Sequence, residues 1–127
     1  MTINAHVLIV DDQSINLELL GTICRHIGFT QVSKASGALD ALRVQKSTPA
    51  DIIFLDIDMP EVTGIEIIQE LKQVTPQVTI IMASAAPTAK NVRECLELGA
   101  DGFVAKPFSS DNIINALKQV RRKKQKS

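Results

Sequence analysis

The chain has 127 residues, of which 45% are hydrophobic and 22% charged. That is enough for one core of ordinary size and not for two, in a globular rather than disordered or fibrous chain, and no apolar run approaches the roughly 20 residues of a membrane span. Basic and acidic residues balance at 14 each, yet Arg121, Arg122, Lys123, Lys124 and Lys126 supply five of the basic ones, so the rest of the chain carries nine against 14, a net of −5, which disfavours direct nucleic-acid binding.

The first apolar run, residues 7–10, reads as a strand that ends at Asp11-Asp12. Ser14 then offers an N-cap for a helix whose apolar face is written by Ile15, Leu19, Leu20, Ile23 and Ile27 and whose stop is Gly28. A weaker strand over 31–35 and a helical face over 39–44 follow. Residues 52–55 form the third strand, ending at Asp56, and Thr63 with Glu66 has the spacing of a capping box for a helix whose face spans 65–71. The fourth strand, 79–82, runs toward Ser84. A helical face over 92–98 stops at Gly99, the fifth strand covers 103–105 and leads into Lys106, and Ser109 or Ser110 starts a last helix with its face over 113–120. Five strand–helix units with near-continuous apolar strands predict an α/β fold: a parallel sheet buried on both faces with right-handed crossovers, of the flavodoxin-like type. The expected division is a domain over 1–120 and a basic tail or linker stub over 121–127.

Cys24 and Cys95 lie in helical patterns with no second cysteine nearby, so they read as small apolar core residues rather than a redox pair or zinc site. His6 stands ahead of the first strand and His26 near the end of the first helix, where its charge suits the dipole. Both read as structural or surface residues. Met1-Thr2-Ile3-Asn4 lacks a basic region followed by an apolar stretch, so no secretory signal is expected and the cytoplasm is the default location.

The polar residues are the more informative part. Asp11 and Asp12 follow the first strand, Asp56 ends the third, Ser84 the fourth and Lys106 the fifth. The carboxyl ends of an open parallel sheet lie along one edge, where such folds bind ligands. Singly, each residue is ordinary turn or surface chemistry. Together they make an acidic cluster whose members cannot all remain ionised without compensation, so it should bind either protons or a cation. A hard divalent cation answers that need, and Mg²⁺ takes one or two carboxylates, keeps waters and accepts phosphate oxygens. Asp56 then suits a nucleophile toward phosphorus, being ionised without a general base, while Ser84 and Lys106 face the phosphoryl oxygens.

At these residues the chain resembles the receiver domains of two-component response regulators over nearly its whole length apart from the basic tail. The matching pieces are Val10-Asp11-Asp12, Leu55-Asp56-Ile57-Asp58-Met59-Pro60 with Gly64 following, Ala83-Ser84-Ala85, and Gly99-Ala100-Asp101-Gly102-Phe103-Val104-Ala105-Lys106-Pro107-Phe108. The resemblance implies a flavodoxin-like (βα)5 doubly wound sheet of strand order 2-1-3-4-5. It implies Asp56 as phosphoacceptor, with Asp12, Asp56 and the backbone carbonyl of Asp58 as Mg²⁺ ligands and Asp11 acting partly through water. Ser84, the Ala85 N–H and Lys106 would hold the phosphoryl group, and Lys106-Pro107 is similar to the family's cis peptide, which is accessible before proline. Phe103 takes the switch-aromatic position with Ser84, without a hydroxyl. Asp58 and Ala86 occupy positions that bear on phosphoryl lifetime, so that lifetime does not carry over.

The function so implied is a phosphorylation-activated signalling switch, not a turnover enzyme. It would be charged by a cognate histidine kinase, a phosphotransfer protein or a small phosphodonor. Output would pass through the surface of 92–98, the fifth strand and 113–120 to a downstream protein or output domain, and a phosphorylation-dependent dimer is one form it can take. Two rivals differ in class. Asp56-Ile57-Asp58 also resembles the nucleophile motif of haloacid-dehalogenase-type Mg²⁺ phosphatases, but there the motif ends the first strand, whereas here Asp11-Asp12 comes first. A flavodoxin-like redox protein needs a phosphate-cradling loop after the first strand, where Asp11-Asp12-Gln13 would repel phosphate.

Overall fold

The structure, a computed structural model, describes residues 2–59 and 64–125. Its elements alternate along the chain as β1 (Ile3–Val10), α1 (Ser14–Ile27), β2 (Phe29–Ala35), α2 (Ala38–Ser47), β3 (Ile52–Asp56), α3 (Gly64–Val74), β4 (Thr79–Ser84), α4 (Ala89–Glu97), β5 (Gly102–Ala105) and α5 (Ser110–Gln125). The strands lie in the order β2-β1-β3-β4-β5 with every pairing parallel, the expected flavodoxin-like arrangement.

Alternation along each strand feeds two cores. Leu8, Val10, Ile53, Leu55, Ile80 and Met82 pack with Ala41, Ile67, Ile68, Leu71 and Cys95 of α2, α3 and α4. Val7, Ile9, Phe54, Ile81, Ala83 and Val104 pack with Leu20, Ile23 and Cys24 of α1 and with Ile113, Ala116 and Val120 of α5. Both faces of the sheet are therefore covered, which is why the strands read as continuous apolar runs. Each fully buried Leu, Ile or Phe contributes about 1.5–3 kcal/mol by leaving water, and this two-sided burial fixes the strand ends that carry the site.

Local signals held unevenly. Gly28 and Gly99 have φ of 131° and 117°, the left-handed backbone that favours glycine where a helix must stop. Ser109 Oγ accepts from the Asn112 N–H at 3.1 Å while Asn112 Oδ1 accepts from the Ser109 N–H at 2.9 Å, a reciprocal cap for α5. At α1 the N-cap is Gln13 and not Ser14, and no side chain caps it. The predicted face of α1 is also wrong in part: Leu20, Ile23 and Cys24 are buried, but Ile15 is 72% and Leu19 43% exposed. Positions 15 and 19 share a stripe about 100° or more away from the one through 20 and 24, so an apolar count merged two faces. His6 lies inside β1, and its ring nitrogens meet Ser33 Oγ at 2.7 Å and the Pro49 carbonyl at 3.3 Å. Thr63 of the proposed capping box lies outside the described residues. The basic segment begins inside α5, which runs on to Gln125.

Candidate functional site

Register builds the site. Val10 pairs with Leu55, so Asp11 and Asp56 emerge side by side at the next step. Asp56 pairs with Ala83, and Ser84 pairs with Ala105, so Ser84 and Lys106 close the same edge from the other side. The Lys106 N–H donates to the Ser84 carbonyl at 2.9 Å, carrying the β4–β5 ladder one residue further. Asn112 Nδ2 donates to the carbonyls of Ala105 and Pro107, both at 3.2 Å, and so holds the loop around the cis Lys106–Pro107 peptide from α5. Asn112 is not marked in the sequence, because a helix asparagine carries no sign of the loop it braces.

The polar groups are packed and buried. Asp11 is 2% and Asp56 3% exposed, while Asp12 is exposed. One carboxylate oxygen from each of the three lies within 4.8 Å of the others. Lys106 Nζ bridges two of them, at 3.1 Å from Asp56 Oδ1 and 3.3 Å from Asp11 Oδ2. Backbone donors do the rest: the Gln13 N–H reaches Asp11 Oδ1 and the Asp58 N–H reaches Asp56 Oδ1, each at 2.9 Å. An open cleft of about 650 Å³ covers the group, lined by Asp12, Gln13, Asn16, Asp56, Asp58, Ala85, Lys106 and Pro107. Gln13 and Asn16 are likewise unmarked, since amides in a first helical turn read as capping chemistry.

Burial pushes the Asp56 carboxyl above its usual range and the charge of Asp11 adds to it, against the Asp58 N–H and Lys106, which favour the ionised form. For Lys106, burial alone would lower the ammonium, but its bonds and charge interactions with Asp56 and Asp11 prevail and raise it. Lys106 stays charged beside a carboxylate that is uncomfortable as an anion. One lysine does not neutralise three clustered carboxylates, and hard oxygen ligands so spaced fit a divalent cation. Asp11, Asp12 and Asp56 thus come together as expected, with Lys106 across from them.

Asp58 does something the sequence did not foretell. Its carboxylate turns to the end of β4 and the residue beyond it, where Oδ1 accepts from Ser84 Oγ at 3.0 Å and Oδ2 from the Ala85 N–H at 2.8 Å. Phe103, on β5, is 42% exposed. Cys24 and Cys95 are buried and lack a disulfide, and burial pushes the Cys24 thiol up to about 12, as fits inert core residues.

The family model for the response regulator receiver domain matches residues 7–118. The chain belongs to that family. The Bacillus subtilis chemotaxis protein CheY is 34% identical over 111 residues, covering 87% of this chain and 92% of the relative. A receiver-like region is also found within larger proteins: the protein-glutamate methylesterase/protein-glutamine glutaminase of Treponema denticola is 38% identical over 109 residues, covering 84% of this chain and 29% of that protein. Among solved structures, Vibrio cholerae chemotaxis protein CheY4 superposes with a TM-score of 0.86 at 25% identity, over 93% of this chain and 99% of that one. Receiver domains are phosphorylation-activated signalling switches of two-component systems, working with phosphodonors and output partners, and they typically hold Mg²⁺ at an acidic pocket such as this one. These matches give the haloacid-dehalogenase alternative no support. No helix among the described residues is long and apolar enough to cross a membrane.

Proposed function

We propose that Asp56 is the phosphoacceptor of this receiver domain and Mg²⁺ its cation. One observation carries the choice among the carboxylates: Asp12 lines the cleft without touching Lys106, Asp11 touches Lys106 without lining the cleft, and Asp56 does both. Asp12, Asp56 and the Asp58 carbonyl would hold the cation, with Asp11 acting partly through water, and the cation would offset the negative charge gathered on the transferring group. An Asp56 oxygen attacks phosphorus as the bond from phosphorus to the donor breaks. That is a P–N bond when the donor is the phosphohistidine of a histidine kinase or phosphotransfer protein, and a P–O bond when it is a small acyl phosphate. The bonding pair leaves with the imidazole nitrogen or the carboxylate. Lys106 keeps its proton and its charge throughout, facing the phosphoryl oxygens with Ser84 Oγ and the Ala85 N–H.

In this reading the chain catalyses only its own phosphorylation and dephosphorylation, in the cytoplasm. Residues 1–120 form the switch and 121–127 a tail or linker. A bond from Ser84 to the phosphoryl group draws the loop after β4 inward, Phe103 turns from its exposed position, and the α4-β5-α5 face changes for a downstream protein, an output domain or a second copy. Incubation with acetyl phosphate and Mg²⁺ should add one phosphate, seen by mass spectrometry, and Asp56→Asn should add none. Equal labelling of the Asn variant would move the acceptor elsewhere.

A further inference from the structure

We infer that the Asp58 carboxylate is a built-in competitor for the phosphoryl group, a latch that must be displaced before the switch can close; this rests on the reading of Asp56 as phosphoacceptor. Asp58 accepts from Ser84 Oγ at 3.0 Å and from the Ala85 N–H at 2.8 Å, the two donors assigned above to the phosphoryl oxygens. A serine hydroxyl has one proton to donate and a backbone amide has one. Neither can serve two acceptors with good geometry. The Ser84 oxygen is engaged on its other side as well, accepting from the Ala86 N–H at 3.2 Å, so the hydroxyl is not free to turn to a newcomer without giving up Asp58.

Charge points the same way. A phosphoryl group on Asp56 brings close to two negative charges and three strong acceptor oxygens, which a carboxylate on the same donors would repel. Asp58 lines the open cleft and is exposed to solvent, so it has water to swing into. Asp56 and Asp58 are tied through the Asp58 N–H bond to Asp56 Oδ1, which fixes the backbone of the latch beside the acceptor and leaves only the side chain to move. Asp58 thus occupies in the resting chain the place of the group that would switch it, and it sets how readily that group is accepted.

The test uses beryllofluoride at saturating Mg²⁺, followed by NMR because the chain has neither Trp nor Tyr. Asp58→Ala should bind it about 3- to 30-fold tighter than wild type, the worth of releasing two charge-assisted hydrogen bonds to solvated groups, and without any ligand its Ala85 amide proton should shift upfield as its acceptor is lost. A through-space charge effect alone would give the same gain with Ser84 present or absent. A latch acting through its donors predicts a smaller gain from Asp58→Ala in a Ser84→Ala background. Tighter binding that shrinks in that background supports the latch, and unchanged affinity with an unmoved Ala85 amide, or an undiminished gain, overturns it. Failure of wild type to bind beryllofluoride at all would instead count against the phosphoacceptor reading.

Discussion

Aspartates stand at both ends of this sheet, and they lead opposite lives. Asp51 and Asp101 precede β3 and β5; Asp11 and Asp12 follow β1, and Asp56 ends β3. At the amino end each carboxylate caps an amide one residue ahead of a ladder. The β1–β3 ladder begins at Val7, and Asp51 Oδ2 accepts from the His6 N–H at 2.8 Å. The β4–β5 ladder begins at Ile81, and Asp101 Oδ2 accepts from the Ile80 N–H at 2.9 Å and from Lys72 Nζ at 3.1 Å. Each gives an acceptor to a backbone amide that the strand ladder does not supply. At the carboxyl end three carboxylates crowd within 4.8 Å of one another, and two of them, Asp11 and Asp56, share one lysine. What separates a structural aspartate from a chemical one here is how many carboxylates crowd together and share one cation, not the residue type or the fold.

The largest expected effect tests the crowded end. Asp12→Ala should weaken Mg²⁺ binding by at least about tenfold in calorimetry, since it removes a ligand, whereas Asp101→Ala should leave it unchanged. Equal losses in the two variants would erase the distinction between the ends. The reverse holds for stability. Asp101→Ala leaves the Ile80 N–H without its acceptor and Lys72 without its ion pair, at a site where the Asp101 and Lys72 side chains are only 17% and 22% exposed. Urea unfolding should show a loss of about 1–3 kcal/mol, and a loss near zero would mean that water replaces the cap.

How much of this contrast can be read from the sequence follows from what each signal depends on. The apolar runs and the residues at their carboxyl ends specify the sheet and bring Asp11, Asp12, Asp56, Ser84 and Lys106 to one edge, because parallel topology converts chain order into spatial order. The stripe of α1 was misjudged because Ile15 and Leu19 are apolar at helical spacing without facing the core. Asp58's contact with Ser84 and Ala85 depends on a side-chain rotamer across two loops, and Asn112's hold on Ala105 and Pro107 on where α5 starts relative to β5. Neither leaves a periodic trace. Thr88, which caps α4 by accepting from the Asn91 N–H at 3.1 Å, was legible in principle as a threonine before a helical run, yet the apolar face of that helix begins later and drew the reading past it.

The smallest effect sharpens the comparison most, because it gives the crowded end a sign. Burial raises the Asp56 pKa, with Asp11 adding, and the attraction of Lys106 is already counted in that direction. A group whose pKa is higher folded than unfolded lends stability that is complete below its unfolded value, here the ordinary 3.8, and is lost as pH rises through the folded value. At neutral pH Asp56 in the metal-free chain is therefore a cost to the fold. Asn in its place keeps an oxygen for the Asp58 N–H and removes the charge, so Asp56→Asn should be more stable than wild type at neutral pH in a chelator, by on the order of 1 kcal/mol. Lys106 runs on a different window: its raised pKa makes its contribution complete below the ordinary 10.5 and lost above, so it does not alter the comparison near neutrality. The gap should close as pH falls below the ordinary 3.8, where Asp56 is protonated in the folded and the unfolded chain alike. Mg²⁺ should close it from the other side, since a cation held by Asp56 stabilises only the wild type by mass action. Urea midpoints at acid and neutral pH, with chelator and with Mg²⁺, measure all of this, and an Asn variant less stable than wild type at neutral pH without metal would show that Lys106 satisfies the acidic edge by itself.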